Sequence, residues 1–288
     1  LARIWATPRC SPLRLPSRLS FRNWVGHRSM LDHSYPQETS VNPLRIGMLT
    51  PSSNTVLEPV TAEMLKDLHD VTAHFSRFRV TAIGLDAAAL SQFDDRPMMT
   101  AAELLADAKV DVIVWNGTSA GWLGLDSDRQ FCERITKATG VKASTSVLAL
   151  FDVMRKRNER RIGLASPYTS DVQAAIVKSF ANEGIEIVCE RHQGIRDNFS
   201  FSQVTPETIT AMIADLAPSQ PDSIAVFCTN LAGAPLVDKL EKTHGIAIHD
   251  SVATAIYGAL STVGYDLTRL SGFGKMFSSC LKRCPIHD

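Results

Sequence analysis

No apolar run in this chain approaches the roughly 20 residues that a membrane-spanning helix needs. Charge of neither sign dominates, since 30 Lys and Arg balance 30 Asp and Glu in 288 residues. The first absence argues against a membrane partner, and the second gives no footing to a nucleic acid. Six cysteines (Cys10, Cys132, Cys189, Cys228, Cys280, Cys284) are too few and too scattered for a disulfide framework. A reducing compartment is the simpler assumption. There is neither a Walker loop nor a spaced GxGxxG, so a nucleotide is not indicated. The absence of a GxSxG elbow argues against a Ser-His-Asp hydrolase. His74, His192, His244 and His249 fall at no metal-ligand spacing, and only His249, beside Asp250 near a strand end, invites attention. The tail from Cys280 to His287 offers at most three close ligands, short of a closed four-ligand zinc site, and is read as unstructured. No metal is expected.

Acid is also missing from the first 31 residues, which carry six arginines, while the remainder of the chain holds six more acidic than basic residues. An acid-free, Arg- and Ser-rich start with Arg14, Arg18 and Arg22 at i, i+4 spacing resembles a mitochondrial transit peptide. Pro8, Pro12 and Pro16 interrupt the amphipathic helix that such a peptide forms. Residues 1–43 are therefore read either as a presequence, which would place the protein in the mitochondrial matrix, or as a disordered extension of a cytoplasmic protein.

What is present is a pattern written twice. Arg45-Ile46-Gly47-Met48-Leu49-Thr50-Pro51 returns as Arg161-Ile162-Gly163-Leu164-Ala165-Ser166-Pro167. The stretch from Asp111 to Ser119 returns as Asp222 to Asn230, and Ser146-Val147 as Ser251-Val252. The three offsets keep their order and shrink slightly, as in a duplicated unit with trimmed loops. The pairing sets Cys228 opposite Gly117 across a pseudo-twofold axis.

Arg45 to Leu49, Asp111 to Trp115, Arg161 to Ala165 and Ser223 to Phe227 are short apolar runs bounded by polar or turn residues, the pattern of buried parallel strands. Helices are expected over 58–68, 101–109, 129–139, 146–156, 171–183, 206–216, 235–243 and 251–260. Alternation of this kind implies an α/β fold of two pseudo-symmetric, doubly wound parallel-sheet lobes with right-handed crossovers. The first lobe is assigned residues 44–146 with about 250–277, the second 147–249, and residues 278–288 form a tail.

Ligands of open α/β sheets bind beyond the carboxyl ends of the strands. Thr50 to Asn54, Gly117 to Gly121, Ser166 to Thr169 and Cys228 to Gly233 all fall there, so four loops should meet in the cleft between the lobes. They supply Ser52, Ser53, Asn54, Thr55, Thr118, Ser119, Tyr168, Thr229 and Asn230. Hydroxyls, amides and free backbone N–H groups make a cradle for a carboxylate or an oxyanion. Any one of them is equally well explained as a helix cap. Their coincidence around Cys228 favours a small carboxylate ligand, and a strand-end position before a helix favours a thiolate or a developing anion there. Cys132 and Cys189 are read as core, and Asp86, Asp94 and Asp95 as solvated loop residues.

These residues resemble the aspartate/glutamate racemase superfamily, in its branch of maleate cis-trans isomerases and arylmalonate decarboxylases, over residues 44–277. Pro51-Ser52-Ser53-Asn54-Thr55 resembles the isomerases' first loop and Asp197-Asn198 their later asparagine. Gly117-Thr118-Ser119, Ala165 to Asp171 and Gly272 to Phe277 are similar to the decarboxylase. The resemblance implies an enzyme that needs no cofactor, works on a small carboxylate and is compatible with a homo-oligomer. Family members usually face two cysteines across the cleft, whereas here the first position is Gly117, as in the decarboxylase.

Two-base racemisation needs an acid and a base on opposite faces of one carbon, and Gly117 supplies neither. Loss of carbon dioxide from a malonate-like acid leaves an enediolate that needs only stabilisation and one proton. Thr118, Ser119 and Tyr168 would hold its oxygens, Thr229, Ser53, Asn54 and Asn198 the carboxylates, and Cys228 would protonate carbon. Asn54 and Asn198, however, match the isomerase, and a polar pocket would hold back a departing carboxylate. Decarboxylation therefore stands only slightly ahead of isomerisation or racemisation, with a non-catalytic carboxylate-binding protein as the third alternative. A thiol restored at residue 117 should bring back two-sided proton transfer.

Overall fold

The structure, a computed structural model, describes residues 43–93 and 95–278. The Arg-rich leader, the tail cysteines, Cys10 and Asp94 lie outside the described residues. The first lobe contains β1 (Leu44–Pro51), α1 (Leu57–Leu65), β2 (Val71–Phe78), α2 (Ala87–Leu90), α3 (Asp95–Asp107), β3 (Val112–Trp115), α4 (Ala120–Leu123), α5 (Leu125–Thr139) and β4 (Lys142–Thr145). After α6 (Ser146–Arg157) the second lobe adds β5 (Arg161–Ser166), α7 (Ser170–Asn182), β6 (Glu186–His192), α8 (Pro206–Leu216), β7 (Ser223–Val226), α9 (Val237–His244) and β8 (Ala247–Asp250). α10 (Ser251–Thr262) and short 3-10 turns reaching Phe277 close the described chain.

Each lobe is one four-stranded parallel sheet, ordered β2-β1-β3-β4 in the first and β6-β5-β7-β8 in the second. The ladders match in register. Leu49 pairs with Trp115 and Trp115 with Thr145, while Ala165 pairs with Val226 and Val226 with Asp250. Asn116 N–H then donates to the Leu49 carbonyl just as Phe227 N–H donates to Ala165. Gly117 and Cys228 are consequently the same step of the two sheets, one residue past that bond.

The four strands with no clear sequence signal are the sheet edges, β2, β4, β6 and β8. A central strand of a parallel sheet is buried on both faces and reads as a continuous apolar run, as β3 does with all four residues buried. Edge strands such as Val71–Phe78 and Glu186–His192 keep polar residues, which hides them from that criterion. Helix boundaries follow local chemistry. Thr145 accepts from Leu148 N–H at 3.0 Å to start α6, and Asp250 accepts from Val252 and Ala253 at 2.8 and 3.1 Å to start α10.

These last two helices reach across between the lobes. α10, reached from the second sheet's edge strand, packs on β3 and β4 of the first sheet and buries Val252, Ala255 and Ile256 with Ile46, Met48, Val112 and Val114. α6 leaves the first sheet and carries Phe151 to Phe180 of α7, ring centroids 4.8 Å apart. The helices meet at their starts, where the Ser146 hydroxyl donates to the Ser251 carbonyl at 2.6 Å. Three expectations need correction. Cys132 and Cys189 are half-buried rather than core, because α5 and β6 lie at the flanks of their lobes. Asp86 is not merely solvated, since it caps α2 through Ala89 N–H and pairs with Arg196. Asp95 begins a helix.

Candidate active site

The strand ends and the loops beyond them bring Pro51, Gly117, Thr118, Ser119, Tyr168, Asn198, Cys228 and Thr229 around one small cavity of about 20 Å³. Cys228 lies in that cavity with 2 % of its surface exposed. Asn230 N–H donates to its sulfur at 3.3 Å. Burial pushes the thiol up to about 12, against the opposing pull of the Tyr168 hydroxyl and of the N–H groups of Asn230 and Leu231. The expected thiolate is therefore not favoured. A turn and a 3-10 segment separate Cys228 from α9, so it meets few helix-start N–H groups and desolvation of the charged form prevails.

The hydroxyl side of the cavity is well ordered. The Thr118 and Tyr168 hydroxyls are 2.5 Å apart, and burial raises the Tyr168 phenol well above its usual range, with the neighbouring Cys228 adding to it. The Tyr168 ring stands edge-on between Trp122 and Phe201, both at 5.4 Å, which leaves it little freedom to turn. Ser119 accepts a bond from Trp115 Nε1 at 3.3 Å. Neither Ser119 nor Thr169 caps the helix that follows it. Capping thus does not explain Ser119.

It does explain Asn54. Its Oδ1 accepts from Val56 and Leu57 N–H at 3.0 and 2.9 Å, and its Nδ2 donates to Thr229 Oγ1 at 3.2 Å. Thr229 Oγ1 donates in turn to the Asn116 carbonyl at 3.1 Å. Ser53 donates to Val80 O at 2.7 Å and accepts from Asn198 Nδ2 at 2.7 Å. Ser53 and Asn54 do not line the cavity, whereas Asn198 does, and together they form the support behind it. Asn230, from the Cys228 loop, ties the lobes. Its Oδ1 accepts from Thr55 N–H at 3.0 Å and its Nδ2 donates to Asn198 O at 2.5 Å.

The sequence reading missed the apolar wall formed by Val80, Ile83, Phe93, Trp115 and Trp122. Most of it comes from the loop after β2, an edge strand without a sequence signal. Trp115 was within reach, because it precedes Gly117 by two residues in extended chain and so shares its face. A Cβ added at Gly117 would lie 2.0 Å from Cζ2 of the Trp115 ring. The place opposite the thiol is filled by indole, and a cysteine at residue 117 does not fit as expected. Elsewhere, His249 Nε2 donates to the Glu159 carboxylate at 2.7 Å in a buried pair, and among the described residues no group of His, Cys, Asp and Glu is arranged to hold a metal ion.

Comparison with known proteins identifies the family. The family model described as arylmalonate decarboxylase matches residues 46–277. A maleate isomerase of Pseudomonas putida is 27 % identical over 235 residues, covering 77 % of this chain and 92 % of its own. The arylmalonate decarboxylase of Bordetella bronchiseptica is 23 % identical over 235 residues, with 81 % and 95 % covered. Among solved structures, maleate isomerase Iso from Pseudomonas putida S16 superposes with a TM-score of 0.74 at 25 % identity, over 82 % of this chain and 98 % of that one. The two-sheet architecture, the duplicated register and the family match together place the chain in the arylmalonate decarboxylase family of enzymes.

Proposed function

We propose that the protein removes carbon dioxide from a small malonate-type acid, with Cys228 as the proton donor. The observation that carries this reading is the pairing of one buried thiol with an opposite position, Gly117, closed by the Trp115 ring. Such a site has one proton-transfer group and one apolar side.

A malonate carbon carries two carboxylates that the cavity treats differently. Thr118, Ser119 and Tyr168 offer hydroxyls to one of them. The other falls toward Val80, Ile83, Phe93 and Trp122, where it loses hydration and its charge is poorly served. The bond from carbon to that carboxylate breaks, carbon dioxide leaves, and the electron pair passes into an enediolate on the carboxylate that stays. Preorganised hydroxyls stabilise the new charge. Cys228 Sγ–H gives its proton to carbon, the thiolate is held by Asn230 N–H, and water restores the proton. A neutral thiol suits this role, because it arrives already carrying the proton.

One observation favours a second reading. Asn198 lines the cavity with its side-chain amide backed by Ser53, a placement able to hold a second carboxylate. In that case Cys228 would add as a thiolate to the double bond of maleate and be expelled after rotation about the resulting single bond. Proton NMR in deuterium oxide with substituted malonates and with maleate separates the two. Carbon dioxide release with one deuteron at carbon supports the first reading, and fumarate from maleate overturns it.

A further inference from the structure

Phe93, Trp115 and Ser119 line two cavities at once. On one side lies the thiol cavity of about 20 Å³, and on the other a half-open pocket of about 240 Å³, lined by Met98, Phe131 and Asp128 and, toward solvent, by Gln130 and Arg134. The first has room for about one water molecule, while the second, with an apolar inner wall and a polar mouth, has room for an aromatic ring. The partition between them is largely the indole of Trp115. Its ring lies over Gly117, packs on Phe78 with centroids 5.1 Å apart, and donates from Nε1 to Ser119. Trp115 is 1 % exposed and belongs to a central strand, so the wall it makes is fixed to the sheet.

We propose that Trp115 is the specificity-determining residue that limits the size of the group carried on the substrate's α-carbon, and that the chamber behind it is the pocket this group would enter if the ring were absent. The assignment of a malonate-type acid to the cavity underlies this inference. Substrate admission must displace the loops over the cleft, since about 20 Å³ cannot hold a dicarboxylate. That movement makes room on the loop side only. A bulky substituent directed away from the thiol still meets the indole, whereas a methyl or ethyl group does not reach it.

The test uses the intact chain and two variants, Trp115→Ala and Trp115→Phe, in two measurements. Calorimetry with propanoate and 2-naphthylacetate reads fit without requiring turnover. The wild-type protein should bind propanoate about tenfold or more tightly than 2-naphthylacetate. Trp115→Ala should gain about tenfold or more for 2-naphthylacetate while propanoate changes by less than about threefold, and Trp115→Phe should lie between. Phe keeps the packing on Phe78, so it supplies a folded variant if the alanine form melts. Equal binding of both acids by the wild type, no gain in a variant that melts cooperatively, or binding of neither acid to any form would overturn the proposal. Carbon dioxide release from methyl- and naphthylmalonate is then followed in the same three proteins. If binding switches as expected but no malonate loses carbon dioxide, the size limit stands and the decarboxylase reading fails.

Discussion

Burial pushes the Cys228 thiol up to about 12, so at neutral pH Cys228 begins the reaction with its proton attached. The two chemistries considered for it differ in which form they need, and pH separates them. A proton donor is active as the thiol, and its activity falls only when pH rises toward 12. We expect kcat/KM to show no thiol inflection between about pH 6 and 9, and Cys228→Ser to lose activity. A tenfold rise for each unit of pH across that window would mean that the thiolate is the working form. The hydroxyls facing Cys228 are expected to matter through the charge they stabilise, so Thr118→Val and Tyr168→Phe should each lower kcat by about a hundredfold with little change in KM. Opposite them, Gly117→Cys drives a Cβ into the Trp115 ring at 2.0 Å. The single substitution should lower stability by about 1–3 kcal/mol without conferring racemase activity, and only its combination with Trp115→Ala should expose the second thiol to substrate. Racemisation by the single variant at unchanged melting temperature would show that the ring moves freely.

The loops that cover the cleft act as elements. The segment after β2 and the segment after β6 meet in an antiparallel bridge between Ala82 and Asp197, with Ile83 N–H on Arg196 O and Asn198 N–H on Thr81 O, both 2.9 Å. Asp86 and Arg196 pair across the same seam at the surface. Because exposed ion pairs contribute little, the backbone bridge is the main fastening and the side-chain pair a minor one. Asp86→Ala should raise the rate of Cys228 alkylation by iodoacetamide only a few-fold, and that difference should shrink in high salt. An unaltered rate would show that entry to the thiol lies elsewhere. This seam was illegible in the sequence. The central strands and the loops at their ends could be read because burial on both faces leaves a continuous apolar run, and they delivered Thr118, Ser119, Tyr168, Cys228 and Thr229 to one cavity. β2 carries no such run, so the loop after it, which contributes Val80, Ile83 and Phe93, had no address, while the short apolar run at the start of β6 did not mark a strand and Asn198 beyond it was reached only through the family resemblance. Asn54 illustrates the converse. Its motif pointed to a ligand, while its carbonyl oxygen is committed to the start of α1.

At the scale of the molecule, duplication could be read from the three sequence offsets, and the sequence reading set about 250–277 with the first lobe and 147–249 with the second, an exchange of α10 and α6; what it did not name is the strands each helix covers. The exchange has an energetic consequence. The apolar face of the first sheet, with Ile46, Met48, Val112 and Val114, is covered by Val252, Ala255 and Ile256 of a helix that follows the last strand of the second. Ser146 and Ser251 join the two helices at their first turns. The first lobe cannot keep its cover if α10 leaves with the second, so the two lobes should unfold as one cooperative unit. Ile256→Ala tests this at a residue that is fully buried in α10. The cavity should cost about 2–5 kcal/mol. If the lobes are coupled through the exchanged helices, thermal unfolding monitored by near-ultraviolet circular dichroism and by calorimetry should move to lower temperature as a single transition. Appearance of a second, earlier transition, with the later one at the wild-type temperature, would show that the second lobe stands without the first.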